Sequence, residues 1–368
     1  MKHLIYTSGF SLLILLFIAG IVSAETELND KYYTLKENRG KIIARTAHQI
    51  AIGDEYLNSA NDLYKVIRIK DNQAIVKLVK HEKLTASTLT RFQQFWSSLF
   101  NLSFLSGEVK GKGPIGIYHT HSDESYVKGD GASSKKGNGG IFQVGEVLAK
   151  AFEENGVPVV HSKTPHDPHD AMAYDRSRRT AVQLLKDQPT CLLDVHRDAV
   201  PAYEYSKTIG NEGVTKVQLV VGKQNPNFQA NNDFAKQIKA SIDRKYPGFI
   251  KGIFYGKGKY NQDLGPRTML LEFGTNTNSK IAAERSARIF AAAAKNVVFG
   301  TSGNRMVNRG SMRSVFWIIA ALIVGVGIFL LLNRRNLSNI GKEFTGALGE
   351  EETNESQKNN QENNGESS

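Results

Sequence analysis

The chain has 368 residues, with 47 Lys and Arg against 36 Asp and Glu, a formal net charge of +11 and a pI near 9.4. That length holds one sizeable domain with appendages or two modest domains, and the charge favours an anionic partner such as nucleic acid, anionic lipid or an anionic bacterial wall. The single cysteine, Cys191 within an apolar run, excludes an internal disulfide and reads as a buried structural thiol.

Residues 1–24 read as a signal peptide or an N-terminal anchor. An apolar run from Phe10 to Val22 follows Lys2 and ends at Val22-Ser-Ala24, where Ala24 suits a cleavage site. Residues 25–106 have a different texture, that of a small β-containing module with an amphipathic linker. The alternation in residues 64–70 and 74–79 around Asp71-Asn72-Gln73 predicts a β-hairpin. Phe92, Phe95, Trp96, Leu99, Phe100, Leu102 and Phe104 then recur at helical spacing among polar residues. That pattern is an amphipathic helix, packed on the main domain or turned to a membrane surface or partner.

Residues 107–304 alternate strand and helix patterns. Strands are expected at 115–119, 157–161, 190–196, 215–221 and 268–273, and helices at 142–154, 171–186, 228–246 and 280–298. The alternation indicates an α/β domain whose mixed, largely parallel sheet is flanked by helices on both faces. In such sheets the ligand site lies beyond the carboxyl ends of the strands. A basic linker, 305–314, leads to residues 315–332, which carry no charge and at 1.5 Å per residue span roughly 27 Å, enough for a transmembrane helix. Arginines and a lysine balance across this span, so the N-terminal segment sets the topology: residues 25–314 outside the cytoplasm and the tail inside. Residues 333–368, rich in Glu, Asn, Gln and Ser toward the end, read as a disordered tail.

Three apolar strand patterns end in polar residues of one chemical kind. Tyr118-His-Thr-His-Ser-Asp-Glu124 follows the first, Asp194-Val-His196 closes the third, and Glu272 closes the last. Nitrogen and carboxylate donors gathered at one sheet edge are the donor set of a zinc hydrolase, which uses three protein ligands and a separate carboxylate to move a proton. His121, Glu124 and His196 are the candidate ligands and Glu272 the candidate proton shuttle. His119 and His121 are expected to face apart, one structural and His121 the better ligand, with His119 or Arg197 as alternative ligand or oxyanion support. Each has a plainer role open to it: Glu124 as a cap, and Glu272 as the partner of Arg267 or Arg197. His196-Arg-Asp198 lacks the companion motifs of a kinase. His161, His166, His169, Asp167 and Asp170 look like a second metal cluster, but a solvated loop at the cleft rim is the simpler expectation. Gly137-Asn-Gly-Gly140 fits no phosphate-binding pattern and is expected to be a flexible loop.

Tyr118-His-Thr-His-Ser-Asp-Glu-Ser-Tyr126, His166-Asp167, Asp194-Val-His-Arg-Asp198 and Leu270-Leu-Glu-Phe-Gly-Thr-Asn-Thr-Asn278 together resemble the stage II sporulation protein P family over about residues 112–300. The family is related to the zinc-dependent N-acetylmuramoyl-L-alanine amidases. The resemblance implies Zn2+ at His121, Glu124 and His196, Glu272 as the catalytic glutamate, and cleavage of the amide between the muramic acid lactyl group and L-alanine. It also implies peptidoglycan rather than nucleic acid as partner, together with a stage II sporulation protein D-like glycan hydrolase and a membrane protein of the M type. The setting it implies is the cell membrane, with the catalytic domain in the intermembrane space during engulfment. Glu124 stands closer to His121 than the wider amidase pattern has it. A strong span after the catalytic domain also departs from the family's N-terminal anchor and leaves general wall remodelling open. The rival functions are a stem-peptide endopeptidase or carboxypeptidase, and a non-catalytic wall-binding scaffold for a glycan-cutting partner.

Overall fold

In the computed structural model the described residues are 31–84, 113–170 and 172–299. The expected signal or anchor, the amphipathic helix at 92–104, the basic linker, the transmembrane span and the tail all lie outside them. Among the described residues no helix is long and apolar enough to cross a membrane.

Among the described residues thirteen strands form in chain order, eleven of them in one sheet ordered β2-β1-β5-β4-β3-β12-β11-β13-β8-β6-β7. The first five are β1 (Tyr33–Lys36), β2 (Ile42–Thr46), β3 (Glu55–Asn58), β4 (Asp62–Lys70) and β5 (Gln73–His81). The predicted hairpin is β4–β5, closed by Asp71 at φ 51°, a backbone region that Asp tolerates better than most residues. These strands do not form a sheet of their own. β3 pairs antiparallel with β12 (Ile250–Gly256), so the N-terminal strands extend the main sheet.

The rest of the sheet comprises β6 (Ile115–Tyr118), β7 (Val159–His161), β8 (Cys191–Asp198), β11 (Val217–Gly222) and β13 (Thr268–Thr275). β7, β6, β8 and β13 run parallel, as do β11 and β12, while β11 meets β13 antiparallel. The sheet is thus mixed, parallel for most of its C-terminal part. A separate hairpin of β9 (Ser206–Ile209) and β10 (Glu212–Thr215) precedes β11 and takes Thr215, so the strand expected over 215–221 starts two residues later.

Period-two alternation decides what each face carries. Ile115, Ile117, Leu193, Val195, Leu219, Val221, Ile253, Leu271 and Phe273 all enter one core cluster. The same cluster takes the apolar sides of α1 (Ile141–Glu154), α3 (Phe228–Asp243) and α4 (Lys280–Phe299). In α1 the buried Ile141, Val144, Gly145, Leu148, Ala151 and Phe152 fall at helical spacing, which is why this segment is a helix and why it docks. The alternate residues, Asp194, His196, Gln218, Val220, Phe254, Leu270 and Glu272, face the other way. There Val220, Phe254 and Leu270 pack with Tyr56, Tyr64, Tyr174 and Tyr260. Tyr174 lies in the first turn of α2 (Ala173–Leu185), which lies against β6 on this second face. Four polar side chains on adjacent strands therefore share one buried face, and the function must be sought there.

Candidate metal centre

β8 and β13 are parallel neighbours with His196 opposite Glu272 and Asp194 opposite Leu270. Register partners on adjacent strands project to the same side, so His196, Asp194 and Glu272 stand together. The loop after β6 supplies the remaining groups. His121 Nδ1 and His196 Nδ1 each lie 3.2 Å from Glu124 Oε1. All three side chains are buried, and among the described residues they are the one group of three whose donor atoms lie within 4.8 Å of one another. Donors held at 2.0–2.1 Å from a tetrahedral zinc stand roughly 3.3 Å apart, so the observed spacing suits such an ion. The residues present fit the metal.

The donors are held from behind. His196 Nε2 lies 2.9 Å from Asp194 Oδ1, and Asp194 in turn accepts from the Thr120 backbone N–H at 2.8 Å and from its hydroxyl at 2.6 Å. A carboxylate on the second imidazole nitrogen fixes the tautomer that leaves Nδ1 free to ligate. Glu124 Oε2 accepts from the Arg197 backbone N–H at 2.7 Å, leaving Oε1 to face the histidines. Burial alone would raise the Glu124 carboxyl, but the neighbouring His196 and His121 overcome it and hold it at about 2. Burial works against a charged His196, yet Asp194 and Glu124 raise it well above the usual histidine range. The electrostatics of the cluster favour a positive charge at its centre. Replacing Asp194 with Asn is expected to weaken zinc affinity about 10–100-fold, as loss of such partners does elsewhere. A chelator-competition titration measures it, and unchanged affinity would count against the support role.

Glu272 is fully buried. Its Oε2 accepts from Gln218 Nε2 at 2.6 Å and from the Tyr205 hydroxyl at 2.8 Å, and its Oε1 lies 2.7 Å from His48 Nε2. It pairs with neither Arg267, which donates to the Val297 and Val298 carbonyls, nor the Arg197 guanidinium. Asp198 shares the Tyr205 hydroxyl at 2.9 Å and has Lys251 Nζ at 3.7 Å. Burial and the Glu272 charge beside it push Asp198 up to about 6.

His119 stands apart from the three donors. β6 ends at Tyr118, and His119 keeps the phase of Ile115 and Ile117, turning toward α1. There its Nδ1 sits 2.9 Å from the Val195 carbonyl and its Nε2 2.8 Å from His161 Nε2, with the ring edge-on to Phe142. Burial and the adjacent His161 hold His119 well below the usual histidine range. On a continuing strand residues 119 and 121 would share a face; they diverge because the strand stops between Tyr118 and the loop. Arg197 also points away from the donors. Its guanidinium serves the Ser125 and Ser133 carbonyls at 3.4 and 3.0 Å, and only its backbone reaches the cluster.

Two segments expected to be loose are instead built into the site. His166 is buried, with Nδ1 at 2.7 Å from the His119 carbonyl and Nε2 at 2.7 Å from the Thr180 hydroxyl, so it is no solvated rim residue. His169 stacks on His121 with ring centroids 3.8 Å apart while its Nδ1 lies 3.0 Å from Asp123. The glycine run backs the ligand loop: Gly139 N–H donates to the Ser122 carbonyl at 3.0 Å and Ile141 N–H to the Glu124 carbonyl at 3.0 Å. A Cβ on Gly139 would meet Asp123 C and Ser122 O at 2.6 Å, atoms of the ligand loop backbone itself. Gly139→Ala is therefore expected to cost about 1–3 kcal/mol of stability, the range for overpacking, and to lower bound zinc. Thermal unfolding followed with and without added zinc reads both effects.

A family model described as Stage II sporulation protein P matches residues 30–295. The Stage II sporulation protein P of Bacillus subtilis (strain 168) is 33% identical over 192 residues, covering 46% of this chain and 47% of that protein. The matched part thus spans about half the length of that curated relative. Among solved structures, the CwlD amidase from Clostridioides difficile in complex with the GerS lipoprotein overlaps with a TM-score of 0.31 at 12% identity, covering 51% of this chain and 98% of that one. The N-acetylmuramyl-L-alanine amidase Ami1 from Mycobacterium smegmatis overlaps with a TM-score of 0.33 at 11% identity, with 51% and 98% covered.

Proposed function

The chain belongs to the stage II sporulation protein P family, and from that membership we propose that it is a zinc-dependent peptidoglycan hydrolase that cleaves the N-acetylmuramoyl-L-alanine amide. The observation that carries the proposal is the convergence of His121 Nδ1, His196 Nδ1 and Glu124 Oε1 on the sheet face that also bears Glu272. When bound, zinc supplies Lewis acidity and brings the pKa of water to about 7. His121, Glu124 and His196 hold it, with Asp194 and the Arg197 backbone keeping His196 and Glu124 in place. Glu272 takes the proton of the attacking water and returns it to the leaving alanine nitrogen as the amide C–N bond breaks. Tyr205 and Gln218 occupy Oε2, so Oε1 is the oxygen that exchanges the proton.

In this proposal the work is done outside the cytoplasm, on the septal wall during sporulation engulfment, with the chain held at the membrane by residues 315–332. Its partners there are a glycan hydrolase like stage II sporulation protein D and a membrane protein of the M type. Support comes from the family membership, from the uncharged run at 315–332 and from a net charge of +11 suited to a wall of carboxylates and phosphates. Product analysis of sacculi digested by the purified full chain with zinc tests the chemistry. Glycan strands freed of peptide and peptides beginning with L-alanine are expected. Products cut only within the stem peptides would replace the amidase with an endopeptidase. A cysteine placed at residue 340 should resist a membrane-impermeant thiol reagent in intact cells, and ready labelling would reverse the topology.

A further inference from the structure

His48 is remote in sequence from every motif of the site, yet it is buried with its Nε2 2.7 Å from Glu272 Oε1. Its imidazole is stacked on Phe254 at 5.3 Å between centroids and lies edge-on to Tyr260 at 6.1 Å, so the ring plane is set by two aromatic neighbours. The same stretch touches the centre twice more. Ala47 N–H donates to Asp198 Oδ1 at 3.0 Å, and the Arg45 carbonyl accepts from Lys251 Nζ at 2.6 Å. Lys251 also donates to Gln218 Oε1 at 3.1 Å, which orients the amide whose other end donates to Glu272. Residues 45–48 therefore reach Glu272 directly through His48 and indirectly through Asp198–Tyr205 and Lys251–Gln218.

Resting on the assignment of Glu272 as the proton shuttle, we infer that His48 is a positioning residue for Glu272, so that the segment after β2 is part of the catalytic centre rather than of a separate wall-binding module. The reason is geometric. Oε2 is held by two donors, whereas Oε1 accepts no hydrogen bond among the described residues and has His48 Nε2 beside it at 2.7 Å. An oxygen that exchanges a proton with water has to be aimed while remaining open on one side. A rigid imidazole on its flank does both, limiting rotation of the carboxylate without covering it. The N-terminal strands, joined to the sheet through β3 and β12, then serve to carry this ring.

The experiment uses the full chain with Glu272→Gln, His48→Gln, His48→Ala and the Glu272→Gln/His48→Gln pair. Peptide release from sacculi is measured for kcat and KM, alongside zinc content and thermal unfolding. The expected result for His48→Gln is a fall in kcat of about 10–100-fold with KM and zinc content unchanged, and no further loss in the pair beyond Glu272→Gln alone. Wild-type kcat in both His48 variants overturns the inference. A loss in the pair equal to the product of the two single losses also overturns it, since His48 would then act independently of Glu272. Should His48→Ala unfold, His48→Gln, which keeps a polar group in the same space, decides the matter by the same criteria. Near-wild-type activity in Glu272→Gln would instead remove the shuttle assignment itself, and the two failures are thus told apart.

Discussion

Glu272→Gln is expected to lower kcat by about 10²–10⁴-fold while leaving bound zinc and the folded state in place. The substitution preserves shape, so Tyr205 and Gln218 keep an acceptor or neighbour where Oε2 stands. What is lost is a group able to take a proton. In activation terms the loss is roughly 3–5 kcal/mol, at 1.36 kcal/mol per tenfold. Because Glu272 is not one of the three convergent donors, zinc content should match the wild-type chain. Retention of activity within a few-fold would remove Glu272 from the mechanism and would shift attention to Asp198, whose carboxyl is the other buried acid in the network.

Why Glu272 was visible in the sequence while its surroundings were not has a physical explanation. Glu272 and His196 each close a run of apolar residues, and a period-two pattern tells which side chains share a face without any knowledge of pairing. Asp194 was available by the same logic, two residues before His196 and hence on its face. The hairpin β4–β5 and the four long helices were legible because their burial is one-sided. β12 was not: its residues are buried on both faces, and Lys251, Gly252 and Gly256 interrupt the hydrophobic pattern that marks a strand. Lys251 is tolerated there because the Arg45 carbonyl, Gln218 and the Tyr205 ring, 4.3 Å away, all receive it. His48 gave no local signal at all. Its role depends on β3 meeting β12, a pairing between segments nearly two hundred residues apart that no local pattern encodes.

The glycine run and the His166 loop failed in the opposite sense. Polar and glycine-rich stretches read as loose because nothing in them drives burial on its own. Here the backbone of 137–141 closes against the backbone of 122–124, and His166 and Asp167 are recruited through Ser122 at 2.7 and 3.1 Å. The loop that carries His121 and Glu124 is thus clamped from two sides. That rigidity bears on catalysis, since a ligand displaced by an ångström no longer converges with the others.

His196→Ala is expected to abolish both metal binding and activity, and to destabilise the chain more than a lost imidazole contact alone would. Removing the ring takes away one of three donors and at the same time strands Asp194, whose carboxylate is fully buried and faces His196 at 2.9 Å. Breaking one side of a buried charged pair typically costs about 3–5 kcal/mol. The thermodynamic and catalytic losses can be separated by a second change. In His196→Ala/Asp194→Asn the stranded charge is gone, and Thr120 N–H retains an acceptor in the Asn side-chain oxygen, so much of the stability should return. Zinc and activity should not return, because no nitrogen donor has been restored. Chemical denaturation of the three chains, with zinc quantified in each, reads both quantities together. If the double variant regained zinc and wall-cleaving activity, His196 would be a structural partner of Asp194 and the metal would have to sit elsewhere. If it regained neither stability nor zinc, the cost of the single substitution would lie in packing rather than in the uncompensated carboxylate. Wild-type protein stripped by a chelator and then given Zn2+ completes the comparison: it keeps both His196 and Asp194, so loss and recovery of activity there isolate the ion from the side chains that hold it.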